Sequence, residues 1–217
     1  LDLDADINTL IPFKVRNPKH AEEPITLRQL LTHTSGVRDN WSVLENTWVK
    51  NGDFKKPLAE SLPAYLIEGG EVFSAKKSFY SWAPGTKNQY CNVGFALAAY
   101  VAEAKMKTSF EALCEQGIFK PLGMDGTAFR LAAVNPKQVA MPYAYRKKTG
   151  AFKALGHHGY LDYPAGTLRA TAPHLARFLL MFMGEGKLGE VRVLKANTVE
   201  AMKKVQHPKI DKKQGIG

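Results

Sequence analysis

Residues 82–95 read Trp82-Ala83-Pro84-Gly85-Thr86-Lys87-Asn88-Gln89-Tyr90-Cys91-Asn92-Val93-Gly94-Phe95. Pro84-Gly85 spells a turn, because proline presets its own φ and glycine accepts a positive one. The residues that follow carry the strongest helical pattern of the chain. Phe95, Leu97, Ala98, Val101 and Ala102 recur at helical spacing over 93–105. Tyr90 and Asn92 stand between turn and helix. Residues two apart in extended backbone point the same way, so the segment predicts a phenol and an amide offered to one cleft beside a helical scaffold.

A phenol with a pKa of about 10 is a poor base alone. A neighbouring ammonium favours the phenolate, which makes Tyr90 a candidate general base or proton relay for a serine hydroxyl. Asn92 brings both a donor and an acceptor, enough to position a lysine and a substrate carbonyl. On spacing alone a plainer reading competes, in which Tyr90 packs beneath the helix and Asn92 caps it.

Outward from this segment the chain reads as mostly helical with little strand. Residues 1–24 hold Pro12, Pro18 and Pro24 and few periodic apolar positions, as a connecting segment does. Thr26 with Gln29 predicts a capping box, and Gly36 closes the helix it starts. Residues 37–57 read as loop. A helix over 58–68 stops at Gly69-Gly70. Thr108 with Glu111 predicts a second capping box and a helix to about 119, ended by Pro121-Leu122-Gly123-Met124. Met141 to Leu155 predicts a β-hairpin with Lys148-Thr149-Gly150 at its tip. Thr171 predicts a cap for a helix over 172–183, and a last helix covers 195–204.

Composition narrows the class. The chain has 217 residues, 45% hydrophobic and 23% charged, as expected of one large globular domain or two lobes. Its longest apolar run, Phe178 to Met183, falls far short of the roughly 18 residues a membrane span needs. The net charge is +10, but the lysine pairs at 55–56, 76–77, 147–148, 203–204 and 212–213 are spread along the chain. No stacking-aromatic module accompanies them, which argues against nucleic acid. Cys91 and Cys114 read as buried free thiols, although one disulfide is open to them. No initiator Met or signal pattern precedes Leu1, and both this end and Gln214-Gly215-Ile216-Gly217 read as cut.

Several spaced stretches, in order, resemble one family. Leu30-Leu31-Thr32-His33-Thr34-Ser35-Gly36 is similar to its LLTHTSG segment, and Tyr90-Cys91-Asn92 to its Y-x-N element with Cys in the middle position. Pro84-Gly85, Pro121-Leu122-Gly123-Met124 and Thr127 agree. Tyr163-Pro164-Ala165-Gly166-Thr167-Leu168 with Thr171-Ala172 resembles PAGGL…TA, and His174-Leu175-Ala176-Arg177-Phe178 resembles DLARF. Together they look like the serine β-lactamase and penicillin-binding-protein superfamily, in its class C β-lactamase-related branch of esterases and peptidases.

The resemblance implies an α+β fold, an antiparallel sheet flanked by helices beside an all-helical lobe, with the site in the cleft between them. This chain would be mainly the helical lobe plus a small β-hairpin, with most of the central sheet outside it. It implies a serine that attacks an ester or amide carbonyl, a lysine one turn on in S-x-x-K, and a strand with K-T-G or H-x-G beside the substrate. Tyr90 and Asn92 are the catalytic residues it assigns here. No cofactor or metal is implied. The expected partner is a small-molecule or peptidoglycan-like substrate, and the expected setting is periplasmic or secreted. A non-catalytic relative that binds a ligand or partner, or a fragment inactive alone, is the competing reading.

Two stretches imitate the remaining elements. Ser74-Ala75-Lys76-Lys77 spells S-x-x-K, yet it lies in a polar loop with no apolar helical face to put Lys and Ser together. Lys148-Thr149-Gly150 spells K-T-G, yet it reads as the hairpin's turn. In the family the serine's helix ends near an L-D-L-D segment, which is Leu1–Asp4 here, so the nucleophile is expected upstream of Leu1 and the third element beyond the 195–204 helix. His157-His158 lacks the further ligands a metal needs and reads as a loop over a pocket edge. His33 is expected to bond within its own turn, and Cys91 has no oriented base.

Overall fold

A computed structural model describes residues 1–213, 215 and 216. Gln214 and Gly217, part of the C-terminal reading above, lie outside the described residues. Among the described residues seven α-helices follow in order: α1 Leu27–Leu31, α2 Trp41–Leu44, α3 Leu58–Leu66, α4 Asn92–Met106, α5 Phe110–Cys114, α6 Ala172–Met183 and α7 Ala196–Lys203. The strands are short: β1 Val49–Lys50, β2 Tyr143–Arg146, β3 Ala151–Ala154, β4 His158–Gly159, β5 Lys187–Leu188 and β6 Val191–Arg192. They form three separate antiparallel pairs, β1 with β4, β2 with β3 and β5 with β6. The α+β composition and the helix-rich character are as expected.

Local chemistry sets most helix starts. Thr26 and Gln29 close the predicted capping box, side chain to backbone in both directions. Thr171 accepts from the His174 N–H at the start of α6. The β2–β3 hairpin pairs Tyr143 with Ala154 and Arg146 with Ala151, and Gly150 turns its tip at φ +66°. Other boundaries differ. α1 stops at Leu31, because His33 rather than Gly36 is the first residue to take a left-handed φ, +55°. Ser109, not Thr108, caps α5, by accepting from Ala112 N–H. Glu111 does not complete a capping box, because its carboxylate takes Arg130 Nε at 2.6 Å instead. After Cys114 the chain continues through a π-helical turn over Glu115–Phe119. The 37–57 segment holds α2 and β1 rather than loop alone.

α4 is the axis of the core. Val93, Ala96, Leu97 and Val101 are fully buried, and Gly94 and Ala98 to Tyr100 are nearly so. The sequence pattern suggests one apolar face, but a helix packed by α1, α3, α5 and the turn at Tyr163–Ala165 is covered on most sides. Gly94, Ala96, Ala98 and Ala99 keep its surface narrow where these elements meet. α6 joins through polar links to the turn before it. The Arg177 guanidinium donates to Leu122 O, and Thr127 Oγ1 lies 3.0 Å from His174 Nδ1. Arg130 ties α5 to the 161–165 region: it pairs with Glu111, donates to Phe54 O, and sits 3.6 Å over the Tyr163 ring.

Candidate active site

The Leu31–Gly36 turn is the template on which the Tyr90 segment lies. Thr32, Thr34 and Ser35 are buried, and buried backbone groups must find partners. Thr32 O accepts from Asn88 Nδ2 at 2.9 Å, His33 O from Gln89 N–H at 2.8 Å, and Thr34 O from Gly85 N–H at 2.8 Å. Gly85 takes φ +80°, so the Pro84-Gly85 turn needs its glycine. The His33 N–H bonds within its own turn, to Leu30 O at 3.3 Å, but its ring does not. Its Nδ1 accepts the Cys91 N–H at 3.1 Å, which assigns the ring proton to Nε2. Burial pulls the imidazole's pKa down, with Asp39 opposing, so the ring is held neutral. It lies 4.4 Å from the Tyr90 ring and 4.9 Å from that of Phe95. Tyr90 itself is 59% exposed, which rules out the reading that it packs beneath the helix.

Asn92 is the first residue of α4, not its cap. Cys91 holds the cap position and accepts the Gly94 N–H through sulfur at 3.3 Å. The stronger acceptor is Asp39. One carboxylate oxygen takes Val93 N–H at 3.0 Å and the Cys91 thiol at 3.2 Å; the other takes Asn92 N–H at 3.0 Å and Asn92 Nδ2 at 2.8 Å. A negative group at a helix N-terminus satisfies its first amides and complements its dipole. Since a carboxylate only accepts, it also fixes which end of the Asn92 amide faces it, leaving Oδ1 free to accept elsewhere. Asp39 is held in turn by fully buried Tyr65, whose hydroxyl donates to Arg38 O at 2.8 Å and accepts from Asn40 N–H. Sequence reasoning missed Asp39. No cue for it stood in the sequence, where Asn92 occupies the expected cap position; the structure puts Cys91 there instead, and its sulfur is a weak acceptor.

Tyr90 and Asn92 do not open on one concavity. Tyr90 lines a cavity of about 540 Å³ with His33, Asn88, Phe95, Pro164 and Ala165. Asn92 lines a larger one of about 960 Å³, whose walls include Trp41, Trp48, His157, His158, Tyr160 and Asp162. The two residues thus border adjacent concavities rather than the single cleft expected. The segment 160–166 serves both spaces, with Tyr160 and Asp162 on one and Pro164 and Ala165 on the other. His157-His158 lies over a pocket edge, as expected, and the described residues contain no metal-binding cluster.

Asp162 is 5% exposed, and no side chain of the described residues donates to it. Burial pushes its carboxyl up to about 6 against the pull of its own backbone N–H, with Asp39 nearby adding to the rise. An unfolded Asp titrates at about 3.9, so the folded state binds this proton more tightly. The group therefore favours folding below about pH 4, and that contribution is lost as pH rises through about 6. Asp162→Asn is expected to raise stability at pH 7 by about 2–3 kcal/mol and to change it little at pH 4. Denaturant melts at the two pH values check this; an equal effect at both would contradict it.

The imitations are placed apart from this site. Ser74 sits in a tight turn, its carbonyl accepting from Lys77 and Ser78 N–H, with Lys76 and Lys77 exposed. Lys148 stands exposed at the hairpin tip. Neither lines the cavities of Tyr90 or Asn92. Cys91 and Cys114 are both free and buried. Burial and then Asp39 raise the Cys91 thiol well above its usual range, which removes it as a nucleophile.

A sequence model of the Beta-lactamase family matches residues 1–217. A D-aminopeptidase of Cereibacter sphaeroides is 27% identical over 129 residues, 59% of this chain and 23% of that protein. The octameric penicillin-binding protein homologue from Pyrococcus abyssi superposes with a TM-score of 0.67 at 22% identity, covering 94% of this chain and 43% of that one. The D-amino acid amidase from Ochrobactrum anthropi SV3 gives 0.67 at 21% identity, with 94% and 52% covered. The chain thus spans less than a quarter of the curated relative and about half of the solved chains. No described helix is long and apolar enough to cross a membrane. A match that runs from Leu1 to the last residue, over a fold shared with solved penicillin-binding-protein-like and amidase structures, makes this chain a member of the beta-lactamase family.

Proposed function

We propose that the chain carries the proton-handling element of a serine hydrolase that forms an acyl-enzyme with an ester or amide. The observation that carries this reading is the Asp39 clamp: it orients the Asn92 amide while Tyr90 stays exposed on the His33 ring. In this reading Tyr90, beside a lysine ammonium, takes the proton of a serine hydroxyl as its oxygen attacks the carbonyl carbon. The proton passes to the leaving group when the bond to it breaks, and water then releases the acyl group by the same exchange. Asn92 Oδ1 holds the ammonium in place. The serine and lysine come from a helix upstream of Leu1, and the third element and the rest of the sheet from segments outside these residues. The turn geometry of Ser74 and Lys148 supports that assignment. The amidase and aminopeptidase relatives favour a small amino-acid-like amide over a polymer.

Fluorophosphonate labelling of the full-length polypeptide tests the reading. The expected adduct lies on a serine of an S-x-x-K helix before Leu1. A label on Ser74, or a full-length polypeptide that takes no label, would sink it.

A further inference from the structure

We propose that Asp162, with the aromatic wall of Trp41, Trp48 and Tyr160, forms a subsite of the larger cavity that binds a primary ammonium group of the substrate. It rests on the hydrolase reading only in calling that ligand a substrate. Asp162 is nine-tenths or more buried and lines the cavity, yet the described residues send it no side-chain donor. A buried carboxyl in that state is costly unless something pairs with it. Asp39, the neighbouring acid, has spent its oxygens on four donors of the Tyr90 segment and α4. Its charge still adds to the negative potential at Asp162.

The cations on the same walls do not supply the partner. Arg169 donates to Phe129 O, Thr167 O and His158 O. Lys50 and Lys153 are exposed. Trp41 and Trp48 are 53% and 49% exposed, and Trp48 lies 6.3 Å from the Tyr160 ring and 5.7 Å from that of His158. Exposed indoles and a carboxylate lining one cavity offer an ammonium both charge and cation–π attraction. The cavity's volume, about 960 Å³, accommodates the rest of an amino-acid-sized ligand. Asn92 lines the same cavity, so a ligand whose ammonium is held at Asp162 can extend toward the Asn92 amide.

The test is equilibrium binding to the full-length protein, read by tryptophan fluorescence, with phenethylammonium against its neutral N-acetyl analogue. At pH 7.5 the ammonium is expected to bind about 10–100-fold more tightly, the range of a charged partner to a buried carboxylate. Asp162→Asn is expected to erase the difference. A thermal melt confirms that the variant folds, which the neutralised carboxyl favours. The advantage should also fade as pH falls through about 6. Lys50, Lys153, His157, His158 and Arg169 line the same space, and Asp39 lies close enough to act on Asp162 through its charge. The Asp162→Asn profile isolates the Asp162 share. Equal binding of the two probes to the wild type, or an advantage kept in Asp162→Asn, overturns the proposal. Equal binding joined to weaker fluorophosphonate labelling in Asp162→Asn would mean that a lysine of the protein itself fills the subsite, which also overturns it. Because binding needs no nucleophile, a protein that takes no label can still pass or fail this test.

Discussion

Tyr90→Phe in the full-length protein is expected to slow acyl-enzyme formation by about 10²–10⁴-fold, the usual yield of a positioned acid–base group. That is about 3–5 kcal/mol of barrier. The substitution removes one hydroxyl and keeps the ring, so the tilted ring contact with His33 at 4.4 Å and the buried Leu31–Gly36 template stay intact. With Tyr90 59% exposed, stability should move by a few tenths of a kcal/mol at most. The measurement is the single-turnover rate with a nitrophenyl ester or β-lactam, beside a melting curve. A large kinetic loss with an unchanged melt is the signature of a chemical role. A variant acylating at the wild-type rate would remove Tyr90 from the mechanism.

Asp39→Ala is expected to cost about 2–4 kcal/mol of stability. The side chain accepts from two backbone amides at the start of the longest helix, from the Asn92 amide and from the Cys91 thiol. A lost cap costs about 1 kcal/mol, and a hydrogen bond to a charged group contributes about 1.5–3 net, not additively where several share one carboxylate. At roughly 2–4 °C per kcal/mol for a domain of this size, Tm should fall by about 5–15 °C. Asp39→Asn, which keeps one acceptor oxygen, should recover part of the loss. Wild-type melting in Asp39→Ala would show that water replaces the carboxylate without penalty. Since Asp39 also orients the Asn92 amide, the variant should lose acylation rate at temperatures where it remains folded.

What could be read from the sequence was what is local. Thr26 with Gln29 and Thr171 with His174 cap helices within three residues, and the β2–β3 hairpin closes over four. The family motifs place Tyr90 and Asn92, and their surroundings follow the expected order. Long-range partners were not legible. Asp39 meets Asn92 and Val93 across more than fifty residues, and the cavity wall depends on β1 pairing with β4 more than a hundred residues away. Glu111 read as a capping-box partner because Arg130, which takes its carboxylate, is 19 residues on. Periodicity reports one apolar face, so it could not show that α4 would be enclosed by three other helices. The helix also begins at Asn92, one residue earlier than the apolar pattern shows.

The Cys91 thiol, buried between Asp39 and the first turn of α4, makes the protein its own clock. A thiol reagent reaches it only in molecules whose α4 entrance has opened, so the modification rate multiplies an opening constant by an intrinsic chemical rate. Cys114, on α5, times a second region in the same reaction mixture. A ligand seated against Asn92 would slow the first clock and leave the second running, and so report occupancy of the site without any turnover.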